Sequence, residues 1–337
     1  MSLAPWTGPA VARGPWLQLY LGSMSDRAVV QRVRDSKRLA MPGVLFHGGP
    51  RGLERRAASW ANLARREGVA FGFAFGVDGS KDTDGTELTV DEKGSAIAGV
   101  LEAHRDASFS LINAEIAWDT REGDDDDTSE WGALRLGEIV RQRAPTVILG
   151  DQPWFAIDSH GEERKNARAL KEGGTFAGFP SDEFASWMQF RAPQVYFRNF
   201  GAGDPTAYRR VMAWHHRDWA KHDGSLARLG LERPRTYTLQ GYGHHLRPQD
   251  FVDALLSVRD RPSILWWDHE FAARWPVTAA CLEAAGRIER EGHASAGRLP
   301  RDCVRSWQSA LGLTGPQVDG RCGWGTIERA GIAVRSW

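Results

Sequence analysis

Glu115 is the side chain best placed by its neighbours for proton transfer: Leu111, Asn113 and Glu115 recur at the two-residue period of a strand and turn from apolar to polar toward its end. A carboxyl at such a strand end, with its pKa raised by an apolar and aromatic surround, can protonate a leaving oxygen. Cleavage of an acetal bond between sugars needs a second carboxyl, about 5–5.5 Å away for retention or about 6.5–9.5 Å for inversion. Asp151, in Gly150-Asp151-Gln152-Pro153-Trp154, is one candidate, and Asp268 or Glu270, in Trp266-Trp267-Asp268-His269-Glu270, is another. Asp268 and Glu270 share a strand parity, so they face a pocket together while Trp267 turns away. Asn113, Trp118, Trp154, Arg198, Gln240, Tyr242 and Glu270 are the candidates for holding a substrate, since flat aromatic faces stack on the apolar faces of sugar rings. Plainer readings stand beside these: Glu115 can pair with Arg198, and Asp151 can be a turn residue leading into Pro153.

The elements that must position these groups are legible as an alternation. Runs rich in β-branched, aromatic and leucine residues fall at 17–22, 43–49, 69–77, 108–118, 146–154, 194–200, 236–242 and 263–268. Helical patterning lies between them at 27–39, 53–67, 93–105, 129–143, 181–191, 208–229 and 248–259, with an eighth helix expected near 276–290. Strand and helix alternating in this way predict an α/β fold, a (β/α)8 TIM barrel; a doubly wound sheet with an extra strand is the alternative. Barrel chemistry gathers at the C-terminal strand ends. Those ends carry His47, Asp78, Asn113, Glu115, Trp118, Asp119, Asp151, Trp154, Arg198, Asn199, Gln240, Tyr242, Trp267, Asp268 and Glu270. Strand starts are more apolar, with Ser108, Gln194 and Ser263 as exceptions.

At the fourth strand the chain resembles the lysozyme-like glycoside hydrolases, family 25 muramidases in particular. Their fourth strand ends in Asp-x-Glu with the glutamate as general acid, and the matching residues are Asn113-Ala114-Glu115. Two departures stand out. Asn113 occupies the position of the aspartate that attends the substrate's acetamido group, and the first strand reads Leu19-Tyr20-Leu21-Gly22 where the family usually places an aspartate. Near the C-terminus, Gln308-Ser309-Ala310-Leu311, Val318-Asp319-Gly320 and Gly323-Trp324-Gly325-Thr326 resemble the peptidoglycan-binding module of bacterial and phage wall enzymes. Val304, Trp307 and Leu311 have the spacing of one apolar helix face, and Asp319-Gly320 supplies a turn.

Together the resemblances imply a glycoside-hydrolase-like domain over residues 1–276 and a small α-helical module over 277–337. They imply peptidoglycan glycan strands as the partner, Glu115 as the acid, Asp268 or Asp151 as its helper, and Trp307, Gln308, Asp319, Gly320 and Trp324 as wall-binding positions. One alternative is a catalytically silent wall-binding or structural component of a phage tail or contractile injection particle, for which the missing carboxylates speak. Another is a metal-dependent peptidoglycan amidase drawing on His47, His215, His216, His244, His245 and His269.

Composition bounds the rest. The 337 residues suit one barrel and a small module, and Lys plus Arg equals Asp plus Glu at 43 each, so no global field draws nucleic acid or anionic lipid. No apolar run approaches the roughly 18 residues of a membrane span, and the start Met1-Ser2-Leu3-Ala4-Pro5-Trp6 lacks a signal-peptide pattern. Synthesis in the cytoplasm and delivery to the wall by lysis or a particle are therefore expected. No P-loop, Gly-x-Ser-x-Gly elbow or spaced His-x-x-x-His pair is present, so no cofactor or metal is expected; the acidic run Asp124–Asp127 reads as a solvated loop. Cys281, Cys303 and Cys322 read as buried thiols, with a Cys303–Cys322 disulfide as the alternative.

Overall fold

Every pairing within the nine-stranded sheet is parallel, so strands that pair are joined by crossovers rather than by tight turns. The computed structural model describes residues 16–39, 41–78, 81, 85, 87–114, 118, 129–153, 180–195, 227–231, 233–239, 263–266, 301–310 and 313–321. Its strands are β1 (Trp16–Tyr20), β2 (Gly43–Gly48), β3 (Ala70–Gly76), β4 (Ser110–Asn113), β5 (Leu149–Asp151), β6 (Phe190–Arg191), β7 (Gln194–Val195), β8 (Tyr237–Leu239) and β9 (Ser263–Trp266). They lie in the order β6-β5-β4-β3-β2-β1-β9-β8-β7.

The crossovers include α1 (Asp26–Arg38), α2 (Pro50–Glu67), α3 (Val90–Ala103), α4 (Glu130–Arg143) and α5 (Ser181–Trp187). Their starts are written locally. Ser25 and Ser129 cap α1 and α4 through their side chains, Pro50 opens α2, and Thr89 with Glu92 closes a reciprocal capping box on α3. The expected helix over 181–191 stops at Trp187, and residues 190–195 are strand instead. The sixth strand therefore begins at Phe190, four residues before the sequence pattern placed it, because pairing with β5 outweighs the helical spacing of this short segment.

Residues 190–195 are bonded on both sides. Ala192 N donates to Asp151 O at 2.7 Å, while Arg191 N donates to Pro234 O at 2.9 Å and Thr238 N to Pro193 O at 2.9 Å. The sheet has two unlike faces. One packs on the helices through Leu17, Leu19, Phe46, Phe73, Phe75, Ile112 and Leu149, the main core. The opposite, inner face carries Trp16, Leu45, Ala74, Phe109, Leu111, Phe190 and Ala192. Trp16 of β1 meets Phe109, just before β4, at 4.7 Å between ring centroids, and Phe109 meets Phe190 of β6 at 5.6 Å. Strands that are not neighbours in the order thus touch across the inner face, so the sheet is strongly curved around it. A Cβ at Gly72 would lie 2.0 Å from Phe109 O, so only glycine permits this inner packing.

The expected helices over 208–229 and 248–259 lie outside the described residues apart from 227–229, and that near 276–290 lies outside them altogether, as does the domain boundary at 276/277. Near the C-terminus the structure has α6 (Arg301–Ala310) and a 3-10 turn at Gly315–Gln317. No helix among the described residues is long and apolar enough to cross a membrane.

Candidate active site

The inner face changes character along the strands. Its N-terminal layer is aromatic and aliphatic, whereas from Gln18 onward it is hydrogen-bonding: Gln18, His47, Asn113, Gln152, Gln194 and Thr238 are all buried polar residues. Strand parity places them there, since Gln18 follows Trp16, His47 follows Leu45 and Asn113 follows Leu111 by two residues each.

Buried amides must be satisfied, and these satisfy one another. Gln18 and Gln152 exchange hydrogen bonds, Gln152 Nε2 donating to Gln18 Oε1 at 2.7 Å and Gln18 Nε2 to Gln152 Oε1 at 3.1 Å. Gln152 Nε2 also donates to Thr238 Oγ1 at 2.7 Å. One layer nearer the C-terminal ends, Gln194 Nε2 donates to Asn113 Oδ1 at 2.7 Å and to Gln152 O at 3.1 Å. That leaves the Asn113 amide nitrogen directed at His47 Nε2, 3.5 Å away. The contact requires Nε2 to be an unprotonated acceptor. Burial favours the same state, lowering the His47 pKa from its usual 6.5 to about 3. Among the described residues, the C-terminal end of the inner face, the candidate mouth, thus carries neutral hydrogen-bonding groups at Asn113, Gln194 and His47.

Asn113 is therefore where the sequence places it, at the end of β4 and on the face of Leu111. Two other expected site residues are not. Asp151 has the parity of Leu149, so it faces the helices; it is fully buried and forms a forked ion pair with Arg191, whose Nε lies 3.1 and 3.0 Å from its two oxygens. Arg191 Nη1 also donates to Ser181 Oγ of α5 at 3.0 Å. This placement removes Asp151 from the mouth and corrects its assignment as second carboxyl. Trp118 is fully buried against Phe184 of α5, at 5.1 Å between centroids, and so belongs to the sheet–helix core rather than to a sugar-stacking surface.

Glu115, Trp154, Arg198, Gln240, Tyr242, Asp268, Glu270 and Trp324 lie outside the described residues, as do His215, His216, His244, His245, His269, Cys281, Cys322 and the 124–127 run. Trp307 and Cys303 lie in α6, but their side chains are outside the description. No group of three or more His, Cys, Asp or Glu side chains is gathered for a metal among the described residues.

The structure adds Gln18, Gln152, Gln194 and Thr238 to the site. Gln194 was legible as a polar exception at a strand start; with the strand beginning at Phe190 it sits at the opposite end, where function gathers. Gln152 carried no such signal: it stands one residue from Asp151, and the opposite parity separates their fates.

The C-terminal turn is built around Gln308, which is 2% exposed. Its Nε2 donates to Asp319 Oδ1 and to Arg321 O, both at 2.9 Å, and its Oε1 accepts from Gly320 N at 2.9 Å. Hydrogen bonds from Gln308 and from the Arg321 N–H hold the Asp319 carboxyl below its usual pKa. Gly320 has φ +74 and a Cβ there would lie 3.0 Å from Arg301 O. Gln308 and Gly320, expected as wall contacts, are thus internal braces of the turn, and Asp319 is the exposed member of the three.

No protein-family model and no curated protein sequence matches the chain. Its fold is similar to that of the endo-β-1,4-mannanase from Thermotoga petrophila, with a TM-score of 0.51 and 9% identity over 75% of this chain and 67% of that one. It is also similar to an endocellulase from Pyrococcus horikoshii in complex with cellotetraose, with a TM-score of 0.50 and 12% identity over 76% of this chain and 85% of that one. The likeness is one of fold alone: a parallel α/β architecture of the kind found in TIM-barrel proteins.

Proposed function

We propose that this chain is a glycoside hydrolase directed at peptidoglycan. The observation that carries the reading is the hydrogen-bonding set of Asn113, Gln194 and His47 at the strand ends, with Asn113 two residues before Glu115 in the chain. Taking β6 and β7 as halves of one stave bonded to both β5 and β8, we read the sheet as a closed (β/α)8 barrel with that mouth at its C-terminal rim. Glu115 supplies the proton to the glycosidic oxygen. Asp268 or Glu270, which follow in the chain after the strand that pairs with β1, supplies the second carboxyl in place of Asp151. Asn113 bonds to the substrate through its amide, and the α6 turn presents the chain to the wall. Delivery follows lysis or transport on a particle.

Digestion of purified sacculi, with β-1,4-mannan and cellulose in parallel, tests this by mass spectrometry of the products. Muramyl-ended fragments from the wild type, falling roughly hundredfold or more in Glu115→Gln, are the expected result. Cleavage of mannan or cellulose alone moves the substrate to another glycan, and unchanged turnover in Glu115→Gln removes the acid. A silent particle or wall-binding component remains a second reading, favoured by the amides at Gln18, Asn113, Gln152 and Gln194, which offer hydrogen bonds without charge. The absence of cleavage from any of the three glycans selects it.

A further inference from the structure

Tyr20 breaks the burial pattern of its strand. Trp16, Leu17, Gln18 and Leu19 are buried, yet Tyr20, at the C-terminal end of β1, is 47% exposed. Its parity is that of Trp16 and Gln18, so it belongs to the inner face at the level of the mouth, and in register it stands opposite His47. The two rings lie 5.3 Å apart at 52°.

The ring also has a floor. A Cβ at Gly22 would lie 2.9 Å from Cζ, 3.0 Å from Oη and 3.1 Å from Cε1 of Tyr20, so the phenol is folded across a residue that has no side chain to lift it. His47 is seated in the same manner, with Nε2 3.2 Å from where a Cβ at Gly76 would be. Two rings at the mouth are therefore each laid over a glycine, one buried and one partly open.

A half-exposed aromatic ring beside hydrogen-bonding groups matches one ligand chemistry, a carbohydrate ring with C–H bonds on its face and hydroxyls at its edge. We propose that Tyr20, seated on Gly22, is the stacking platform of a pyranose subsite at the mouth, with His47 at its edge. The inference rests on the carbohydrate reading above and deepens it by naming the residue that grips the sugar.

Calorimetric titration of the full-length chain with tetra-N-acetylchitotetraose, and with cellotetraose for comparison, tests it. Tyr20→Ala is expected to bind roughly tenfold more weakly, Tyr20→Phe to keep most of the affinity, and Gly22→Ala to lose several-fold although the tyrosine is still present. Unchanged affinity in Tyr20→Ala or in Gly22→Ala overturns the platform and leaves the carbohydrate reading standing. If the wild type binds neither oligosaccharide, both fall together.

Discussion

Two buried polar assemblies sit on opposite faces of the same strands, and they are built on opposite principles. On the helix-facing side Asp151 and Arg191 form a charged pair, fully enclosed, with Ser181 taking one further guanidinium hydrogen. On the inner side Gln18, Gln152, Gln194, Asn113 and Thr238 form a network with no charge. The pair is self-contained and fastens α5 to the sheet. The network ends at the mouth, where its last members can exchange a partner for a ligand. A single residue step, from Asp151 to Gln152, separates the two.

The sharpest way to break this comparison is on the charged side. Asp151→Ala leaves the Arg191 guanidinium enclosed without its counter-charge, and equilibrium unfolding in urea should show a loss of about 3–5 kcal/mol. Replacing both partners by apolar residues of similar volume should recover most of that. A cost below about 1 kcal/mol for the single change would show that water reaches Arg191.

The amide side should respond less. Gln152→Leu strands the Gln18 carboxamide and takes one partner from the Thr238 hydroxyl, which still donates to Ala192 O, with an expected cost of roughly 1–3 kcal/mol. The double change Gln18→Leu with Gln152→Leu should be milder than the sum of the single ones, because fewer groups are left unpaired. Strict additivity of the two would mean that the reciprocal pair does not hold in solution.

The third effect is read as a slope, and it is small near neutral pH. The folded-state pKa of His47 lies near 3, below the unfolded value of about 6.5, so between them the unfolded chain binds a proton that the folded chain excludes. The stability from keeping His47 neutral is fully present above about pH 6.5 and is lost as pH falls toward 3, by up to about 1.4 kcal/mol per pH unit. His104 is shifted in the same direction, chiefly by burial, and adds to the slope. Unfolding free energies of the wild type and His47→Gln between pH 7 and 5 isolate the His47 share: the variant's slope should be shallower, and parallel slopes would put His47 in contact with water.

Much of the architecture was legible because it is local. Alternation of period places β1 to β5 and α1 to α4 close to where the structure has them, and the Ser25, Thr89 and Ser129 caps and Pro50 fix the helix starts there. The short segment 181–195 was misread, since a seven-residue helix and two-residue strands carry too little pattern to separate one period from the other. Asn113 could be found because its whole strand turns polar at one end. Gln18 and Gln152 could not, since an isolated glutamine has no period: Gln18 stands between Leu17 and Leu19, and Gln152 between Asp151 and Pro153.

The amino-acid sequence by itself determined the parallel α/β plan, the face on which Leu111 and Asn113 lie, and the residue types of the C-terminal turn. Each of these is a relation between residues close in the chain. Only the tertiary structure decided that Asp151 is a structural anion, that Trp118 is core, that Gln308 braces a turn, and that amides from β1, β4 and residues 152 and 194 share one interior. Those are relations across up to 134 residues of chain between Gln18 and Gln152, and they exist only because curvature of the sheet brings distant strands within hydrogen-bonding reach.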